Sequence, residues 1–571
     1  MNALRVATIS FLSLSAAAVA QTIPAAVKTA ADSVDPEKIR AHVKFLSDDL
    51  LEGRGPGTRG GEIAAQYIAT QFGLYGLKPA GDNGTYMQQV NFVGTKTIAD
   101  KTHFSLVPDK PKGGGMSIML HSYDLTYAND YTVNNRKLTE TADINAPIVF
   151  VGYGVVAPEF GWNDYAGVDV KGKVVLCIVG DPPSDDPNFF GGKAMTYYGR
   201  WTYKFEEAAR QGAIGALIIH RTDLASYGWD VVKNSNTSEK TYLRDNKDPQ
   251  LVAASWIQLE TARTLFHAAN LDLETEMTAA GKKGFKAVPL PVSLEAHIES
   301  KVRSFQSANV VAMLPGANAK LAKDQPCAGI CKGPDQAVMY TAHYDHLGIA
   351  PSVSGDNIYN GAADNATGCG MLLEMARAWS TLKTPPPHSV IFSSVAAEEQ
   401  GLLGSEYLGQ HPPVPPAQIA LDINYDMVLP VGIPQEVNVN GAQRTTFYST
   451  VQATAKRFSL TITPEAHPEA GGYYRSDHFS LSRVGIPAFS VDQGELFEGH
   501  DRAWGDAIGR AFVEHDYHNF SDNYHADWNF AGNAKLVRFG MELGWEAISA
   551  PKMIEWKPGD EFEAARKASE K

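Results

Sequence analysis

The spacing of apolar residues near the start of the chain predicts an amphipathic helix. Ile39, Val43 and Leu46 lie three to four positions apart, so one face of a helix would carry all three. Asp35 precedes this segment as a favourable N-cap residue, and Pro36 suits the first helical position. We therefore predict a helix that begins after Asp35 and packs through its apolar face.

A glycine-rich turn over residues 53–62 leads into a second predicted helix over residues 63–72. The turn lacks the Lys-Ser/Thr ending of a phosphate-binding loop. We therefore expect its glycines to allow the chain to pass close to another element.

The pattern changes near residue 145 to short β-rich runs. They cover residues 146–156, 172–180 and 214–220, with a helical segment before the last of them. No histidine and acidic residues combine at metal-binding spacing in this region. We interpret it as an inserted β-rich domain that ends near Ser300.

Apolar strands alternate with helices from residue 301 onward. Strands are predicted in NVVAMLPG, AVMYTAHYDHLG, SVIFSSVAAEE and ALDINYDMV, with one helix over residues 366–382 and another after Gly401. This alternation is typical of an α/β fold with a mixed, mostly parallel sheet that helices cover on both faces. In such sheets, binding sites form at the carboxyl ends of the strands.

The length of the chain exceeds what one hydrophobic core can organise, and the changes in pattern divide it into five segments. They are a signal peptide (1–20), an N-terminal part of the α/β domain (21–144), the inserted domain (145–300), the main part of the α/β domain (301–552) and a C-terminal tail (553–571).

The first of these segments has the composition of a secretory signal peptide. Arg5 is its only cation, an apolar run extends from Ile9 to Val19, and Ala18 and Ala20 give an A-x-A cleavage site. No later stretch reaches about eighteen uninterrupted apolar residues, so we expect no membrane span in the mature chain. The protein is therefore predicted to be exported, either to the periplasm or to the medium.

The charge of the chain excludes one class of partner. The formal net charge is -14, and removal of Arg5 with the signal peptide shifts it to about -15. Nucleic acid is not an expected partner, because its phosphates require a basic surface. Cys327 and Cys331 form a CxxxC pair without a second Cys/His pair of matching spacing, which favours a local disulfide or two free thiols over a zinc site.

Residues with metal-binding chemistry follow the predicted strands of the α/β region. His343 ends the strand VMYTA, and Asp345 could accept the proton of its other ring nitrogen and so fix the tautomer that binds metal. Asp364 follows in a Gly/Asn loop before a helix, where its two oxygens could bridge two cations. Its alternative role is that of a helix cap.

Two further acidic pairs lie near the ends of later strands. Glu398 and Glu399 are adjacent, and neighbouring carboxylates repel unless a cation or a shared proton separates their roles. One is expected to bind metal and the other to transfer a proton. Asp422 and Asp426 in LDINYDMV both remain candidates for the first metal, and Asp426 is favoured because it lies at the strand's end. Such a set holds paired zinc and activates a bridging water, which indicates a metallohydrolase.

In their order along the chain, these motifs resemble those of the co-catalytic zinc aminopeptidase family, which also contains glutamate carboxypeptidase-type and transferrin-receptor-like proteins. The family pattern is HxD, a GADDN-like loop, EE, NxDM and a late histidine in a YHxxSD context. The matching segments are AHYDHLG, NGAADNATG, AAEEQGLLGSE, NYDM and DYHNFSD. Ala363 is a departure, because the family usually has another Asp directly before the bridging one.

The resemblance implies two Zn²⁺ ions per chain and a role for each conspicuous side chain. The implied ligands are His343, Asp364 and Asp426 for one zinc, and Asp364, Glu399 and His518 for the other. Glu398 would be the general base, and Asp345 would orient the histidine that precedes it.

Two assignments depend on the resemblance alone. Four histidines cluster near the C-terminal end (His500, His515, His518 and His525), and the match of the YHxxSD segment selects His518. The segment GGYYRSDHFSLSRVGIPAF resembles the loop in which family members place a tyrosine that stabilises the oxyanion. By position this residue is Tyr473, with Tyr474 as the alternative.

The inserted region resembles a protease-associated domain in NDYAGVDVKGKVVL and KFEEAARQGAIGALIIH. This likeness implies a lid or a wall over the cleft without chemistry of its own. The whole pattern implies an aminopeptidase that acts on peptide substrates, with a carboxypeptidase or dipeptidase of the same scaffold as the alternative. A one-zinc glutaminyl-cyclase-like transferase is disfavoured by the two-metal set, and a non-catalytic receptor-like protein by the intact ligand positions.

Overall fold

A computed structural model describes residues 23–109, 122–225, 227–317, 336–350, 355–465 and 467–570. The predicted signal peptide and the pair Cys327 and Cys331 lie outside these residues. In the described part of the chain, no helix combines the length and the apolar composition that a membrane crossing requires.

The strands, in chain order, are β1 (Lys78–Pro79), β2 (Met87–Thr97), β3 (His103–Pro108), β4 (Tyr123–Leu125), β5 (Tyr131–Asn134), β6 (Thr141–Phe150), β7 (Val156–Ala157), β8 (Trp162–Asn163), β9 (Val174–Ile178), β10 (Gly215–Ile219), β11 (Lys240–Leu243), β12 (Ala253–Ile257), β13 (Val288–Leu314), β14 (Ala337–His343), β15 (Gly348–Ile349), β16 (Ile358–Tyr359), β17 (Val390–Val395), β18 (Ile419–Asn424), β19 (Glu436–Asn438), β20 (Thr461–Thr463), β21 (Ala488–Ser490) and β22 (Asp492–Gln493).

The α-helices are α1 (Ala25–Asp32), α2 (Pro36–Leu46), α3 (Arg59–Leu74), α4 (Trp201–Arg210), α5 (Thr222–Ala225), α6 (Trp229–Thr237), α7 (Leu259–Ala268), α8 (Leu273–Ala280), α9 (Thr367–Ser380), α10 (Leu403–Gln410), α11 (Tyr448–Arg457), α12 (His478–Arg483), α13 (Arg502–Ala511), α14 (Ala531–Ile548) and α15 (Glu563–Ser569).

The main domain, residues 23–102 and 300–570, is built on a mixed sheet with the strand order β21-β18-β14-β17-β13. The first four of these strands are parallel, and β13 is antiparallel to β17. Alternate residues of β14 face two cores: Val338 and Tyr340 face α2, α9 and α14, whereas Met339 faces α10 and α12. Helices therefore cover both faces, and the predicted mostly parallel α/β sheet is confirmed.

The accessory domain, residues 103–299, has its own sheet and its own core. The order is β13-β6-β9-β10-β12-β5, in which β6, β9, β10 and β12 are parallel. The 27-residue strand β13 joins the two sheets, because residues 288–299 pair with β6, residues 300–310 with β2 and residues 310–314 with β17. One continuous strand thus fixes the accessory domain to the main domain.

The boundary expected at residue 145 lies too late in the chain. β3 pairs with β13, and β5 pairs with β12, so both belong to the accessory sheet. Phe104, Leu106, Tyr131 and Val133 are buried in the accessory core. The sequence pattern did not indicate this, because these short strands are assigned by partners that lie more than a hundred residues away.

The predicted N-terminal helices are present. α2 begins after Asp35, whose side chain accepts a hydrogen bond from the backbone N–H of Glu37 at 2.9 Å. α3 begins within the glycine-rich turn rather than after it, with Thr58 as the N-cap that accepts from the N–H of Gly61 at 3.2 Å. The glycine-rich segment therefore forms both a loop and the first turn of α3.

The glycine-rich turn passes close to two loops, as expected from its composition. Gly53 has φ +67°, and a Cβ atom there would collide with the carbonyl oxygens of Gly348 and Tyr359. The buried Arg54 donates to the carbonyl oxygens of Tyr344 at 2.7 Å and Gly361 at 2.8 Å. This turn therefore ties together the loops that follow β14 and precede α9.

Candidate metal centre

Three parallel strands end at the same edge of the main sheet, and each end supplies polar side chains. His343 is the last residue of β14, Glu398 and Glu399 follow β17, and Asp426 follows β18. Because β14 is paired in parallel with both β17 and β18, these carboxyl ends lie side by side. The sheet thus brings together residues that are up to 83 positions apart.

Two further residues come from loops above this edge. Asp364 lies in the irregular segment before α9, and the peptide bond that follows it is cis. His518 lies beyond α13 in a left-handed backbone conformation, with φ 57°. Both side chains point toward the strand ends, as their contacts show.

Asp364 stands between two halves of the cluster. Its Oδ1 atom lies 3.3 Å from His343 Nε2, and its Oδ2 atom lies 3.3 Å from His518 Nε2. On one side His343 Nε2 is also 3.1 Å from Asp426 Oδ1, and on the other His518 Nε2 is 2.9 Å from Glu399 Oε2. The side chains of the two triads expected from the sequence therefore lie together, with Asp364 common to both.

This donor set fits two zinc ions. Ligand atoms around a tetrahedral zinc with bonds of about 2.0 to 2.2 Å lie roughly 3.3 Å apart, close to the separations in both triads. His518 Nε2 is buried and has no hydrogen-bond partner of acceptable geometry, although a carboxylate oxygen lies beside it. An imidazole nitrogen placed in this way suits a metal bond better than a hydrogen bond.

The charges of the cluster point to a cation as well. Burial opposes protonation of His343, but Asp426 and Glu398 outweigh it and raise the pKa of His343 well above its usual value. Burial also opposes protonation of His518, but Asp364 and Glu399 raise its pKa to about 10. The carboxylates thus create a strongly negative potential at both imidazoles, which divalent cations would neutralise.

Glu398 differs from Glu399 in its partners. Glu399 contacts His518, and its Oε1 atom lies 2.6 Å from His346 Nδ1. The Glu398 carboxylate has no hydrogen-bond or ion-pair partner among the described residues, and burial raises its pKa well above the usual value. One of its oxygens lies within 4.8 Å of the ligand atoms of His343 and Asp426. The Glu398 carboxylate is close enough to reach a water at the centre, and because it has no partner of its own it can accept a proton.

Asp345 orients His343, but through a different atom from the one expected. The Nδ1 atom of His343 lies 3.2 Å from the backbone carbonyl of Asp345 and 3.8 Å from its carboxylate. The carboxylate instead accepts from the backbone N–H of Glu398 at 3.1 Å. Asp345 therefore links the β14 and β17 loops.

Asp422, the competitor of Asp426, does not reach the cluster. Its carboxylate is fully buried within β18 and accepts from Thr341 Oγ1 at 3.2 Å. Burial raises its pKa well above the usual value. Asp426 lies beyond the strand and takes the position that the sequence analysis favoured.

The three other histidines of the C-terminal cluster lie away from the metal centre. His500 stacks on Trp504 at 3.7 Å between ring centroids, His525 packs beside Trp528, and His515 is exposed. Only His518 of the four contacts the acidic residues of the centre in the described structure.

Tyr473 is not positioned to act at the metal centre. Its hydroxyl lies 2.7 Å from Ser482 Oγ and donates to the carbonyl of Ala488 at 3.1 Å. Tyr474, the alternative, donates to Glu561 at 2.7 Å. Both hydroxyls are thus bonded to groups outside the metal ligands, as buried tyrosine hydroxyls usually are.

Tyr517 lies beside the centre instead. Its ring stacks on His518 at 3.9 Å between centroids. Tyr517 is 37% exposed, yet desolvation together with nearby Asp364 and Glu399 raises its pKa well above the usual value. The signal available in the sequence was its position directly before the selected histidine.

Sequence reasoning also missed three residues that hold the ligands. His346 contacts Glu399; Asp522 accepts from the backbone N–H groups of Ala363 and Asp364 at 2.8 and 3.0 Å; and Ser476 donates to Asp426 at 2.6 Å. Each lies within a few positions of a motif, in HYDH, YHNFSD and RSDH. Such supporting contacts fix ligand orientation and metal affinity.

The segment that carries this centre is similar to a known protein family. A model of Peptidase family M28 matches residues 309–538, a segment that contains all five candidate ligands. The predicted resemblance to a peptidase family is therefore confirmed over this segment.

Two curated proteins are similar to parts of the chain. Leupeptin-inactivating enzyme 1 of Streptomyces exfoliatus is 29% identical over 184 residues, which are 29% of this chain and 38% of that protein. A probable zinc metalloprotease of Pyrenophora tritici-repentis is 38% identical over 96 residues, which are 17% of this chain and 21% of that protein. The chain thus spans much less than two thirds of the length of these relatives.

Two solved structures are similar over most of the chain. An aminopeptidase from Aneurinibacillus sp. strain AM-1 is 20% identical with a TM-score of 0.47, covering 91% of this chain and 96% of that one. The zinc aminopeptidase BSAP from Bacillus subtilis is 18% identical with a TM-score of 0.40, covering 93% and 97%.

Proposed function

We propose that this chain, whose residues 309–538 match Peptidase family M28, is an exported zinc-dependent aminopeptidase. The observation that carries this proposal is the position of Asp364, whose two oxygens each face a histidine from a different half of the cluster. A single carboxylate shared between two triads suits two closely spaced metal ions, the kind of centre that two-metal hydrolases use.

The chain's own side chains would divide the binding of two zinc ions between them. His343, Asp364 and Asp426 would hold one ion, and Asp364, Glu399 and His518 would hold the other. When bound, the pair supplies Lewis acidity and lowers the pKa of a bound water toward about 7. His346, Ser476 and Asp522 would keep the ligands in position.

Glu398 would move the proton. Its carboxylate lies near the ligands but has no partner of its own, so it would take the proton of the attacking water and return it to the leaving amine. The hydroxyl of Tyr517 would donate a hydrogen bond to the oxyanion of the tetrahedral intermediate, the role expected from Tyr473 on sequence grounds.

The test of this mechanism is the variant Glu398→Gln. We expect zinc content near two per chain and a loss of turnover of roughly a hundredfold to ten-thousandfold, because only the proton transfer is removed. Glu469→Gln, an exposed change beyond the cluster, is the matched control and should leave both unchanged. Loss of zinc in Glu398→Gln would show instead that Glu398 is a ligand.

The substrate class is tested with peptides that differ only at their ends. An aminopeptidase should cleave peptides with a free N-terminus and fail on N-terminally acetylated ones. The opposite dependence, on a free C-terminus, would favour the carboxypeptidase alternative. Export is tested separately: after cleavage at the predicted site, the mature chain outside the cytoplasm should begin at Gln21.

A further inference from the structure

A cavity of about 740 Å³ lies where three parts of the chain meet. The accessory domain contributes residues from 159–198, the main domain contributes residues from 438–474, and the C-terminal segment contributes residues 559–561. The described residues that line the cavity include none of the five candidate metal ligands and not Glu398. The cavity is therefore a feature separate from the metal centre.

Contacts between these parts of the chain hold the walls of the cavity together. The backbone N–H of Met195 donates to the carbonyl of Pro468 at 3.0 Å. A Cβ atom at Gly471 would lie 3.1 Å from the sulfur of Met195, so the two domains pack closely here. The hydroxyl of Tyr474 donates to Glu561 at 2.7 Å. The accessory domain and the C-terminal segment are thus both attached to the same loop of the main domain.

The charged side chains that line the cavity are mostly acidic. Among the described residues they are one cation, Arg444, and four carboxylates, Glu159, Glu465, Asp560 and Glu561. Arg444 donates to Asp560 at 2.7 and 3.0 Å and to Glu561 at 2.6 Å, so this guanidinium is already paired. Four carboxylates against one guanidinium leave a formal charge of -3 on the lining.

Two of these carboxylates retain the capacity to bind a cation. The oxygens of Glu465 accept from the N–H of Gly472 at 2.9 Å and from Asn440 at 3.0 Å, which are both neutral donors. No Lys, Arg or His of the described residues forms an ion pair with Glu465. The Oε2 atom of Glu561 is buried and has no hydrogen-bond partner. A buried polar atom without a partner is rare in folded proteins and calls for an explanation such as a ligand.

Aromatic rings supply the rest of the chemistry that suits a cation. Five aromatic residues line the cavity: Phe160, Tyr198, Tyr448, Tyr473 and Tyr474. The faces of aromatic rings attract ammonium and guanidinium groups. Two such contacts exist within the fold, because the guanidinium of Arg444 lies 4.8 Å from the ring centroid of Tyr473 and Lys557 Nζ lies 5.6 Å from that of Tyr448.

We propose that this cavity binds an organic cation, whose ammonium or guanidinium group pairs with Glu465 and Glu561 and packs against the aromatic rings. The volume is in the range of small-molecule binding sites, roughly 300 to 1,000 Å³. The cation belongs either to a free polyamine or to a basic side chain of a peptide. Binding at this place uses no zinc ligand, so the inference does not rest on the proposed peptidase function.

The test is calorimetric titration of the full chain at physiological salt with two matched pairs of probes. Spermidine against a neutral diol of matching length represents the free polyamine. Acetyl-arginine amide against acetyl-citrulline amide represents the basic side chain. We expect the cation of at least one pair to bind about tenfold or more tightly than its neutral counterpart, and the pair with the larger ratio identifies the source.

Glutamine variants separate binding in the cavity from general attraction to an acidic protein. Glu465→Gln and Glu561→Gln should each weaken binding of the cation by about fivefold or more and leave the neutral probe unaffected. Glu469→Gln is the matched control, because it removes one negative charge from an exposed side chain of the same loop that does not line the cavity. This control should bind the cation as the unaltered protein does.

Two results would overturn the proposal. One is equal affinity for the cation and its neutral counterpart in both pairs. The other is cation binding that survives both Glu465→Gln and Glu561→Gln, which would show attraction to the acidic surface only. Thermal unfolding midpoints verify that each variant is folded. Since Glu561 also binds Arg444, Glu465→Gln alone decides the test if Glu561→Gln fails to fold.

Discussion

The main and accessory domains both contain parallel strands with polar residues at their carboxyl ends, yet their chemistry differs. In the main domain, His343 ends β14 and faces Asp364 and Asp426. In the accessory domain, His220 follows β10, and Asp181 follows β9, its parallel neighbour. By strand position alone, both domains offer a histidine and a carboxylate.

The difference lies in what these side chains contact. His220 Nε2 lies 3.0 Å from the carbonyl of Tyr227, and Asp181 accepts from the N–H and hydroxyl of Thr196 at 2.8 and 2.6 Å. Backbone groups and one hydroxyl of the same domain thus satisfy them. In the main domain, the described ligand atoms converge on one another, and His518 Nε2 has no hydrogen-bond partner. A metal site requires donor atoms that local structure leaves free.

The largest effect should come from the shared carboxylate. Asp364→Ala would remove the proposed shared ligand of two zinc ions, so we expect metal content to fall below one per chain and turnover to fall by at least about a thousandfold. Asp181→Asn, the accessory counterpart, should keep both metals and turnover within about twofold. Metal analysis and peptide hydrolysis measure both outcomes. Equal metal loss in the two variants would show that the main and accessory domains do not differ in metal binding as proposed.

The next effect concerns the choice among the C-terminal histidines. His518→Ala should lower zinc content and reduce turnover by roughly a hundredfold, because it opens the coordination of one ion. His500→Ala, His515→Ala and His525→Ala should retain both metals, since these side chains lie outside the cluster. Full zinc occupancy with near-normal turnover in His518→Ala would refute the assignment.

A smaller effect is expected for a residue that supports a ligand. His346 holds Glu399 at 2.6 Å, so His346→Gln should weaken zinc binding or turnover by roughly tenfold to a hundredfold. His220→Gln changes a histidine that bonds only to backbone and should leave zinc affinity unchanged. Competition with a chelator gives the zinc affinity of each variant. An unaltered zinc affinity in His346→Gln would show that the contact between His346 and Glu399 serves only packing.

The smallest effect is on stability and depends on pH. Burial, followed by the charge of Arg377, lowers the pKa of His42 in the main domain to about 4. The folded state therefore keeps His42 neutral, whereas the unfolded chain binds a proton below about pH 6.5. The resulting stability is complete above that pH and decreases as the pH falls towards 4, by about 2 kcal/mol at pH 5.

The variant His42→Gln should weaken this acid dependence. Thermal unfolding midpoints at pH 7.5 and pH 5 measure it, with exposed His515→Gln as the control. An unchanged difference between the two midpoints in His42→Gln would show that His42 does not contribute.

Local sequence was sufficient for most of the metal centre. His343, Glu398, Glu399 and Asp426 each lie at the end of an apolar strand, and parallel strands in an α/β sheet end at one edge. The order of elements therefore predicted which residues would meet. The N-cap of α2 and the close passage of Gly53 also followed from local residue types.

Reasoning from local sequence did not predict contacts between residues that are far apart in the chain. The oxyanion role expected for Tyr473 does not fit a hydroxyl bonded to Ser482 and Ala488, whereas the ring of Tyr517 stacks on His518. The boundary at residue 145 was misplaced because β3 and β5 are assigned by distant partners.

The sequence by itself determined the kind of chemistry, because residue type and strand position decide which atoms can bind a cation. Only the tertiary structure decided which donors remain free. His343 ends one parallel strand and His220 follows another, but a backbone carbonyl lies beside His220 Nε2, whereas His343 Nε2 faces carboxylates. Likewise, the contacts of Tyr197 with Tyr474 and Phe479 exist only because two domains pack together, and no local pattern encodes the position of a partner that far along the chain.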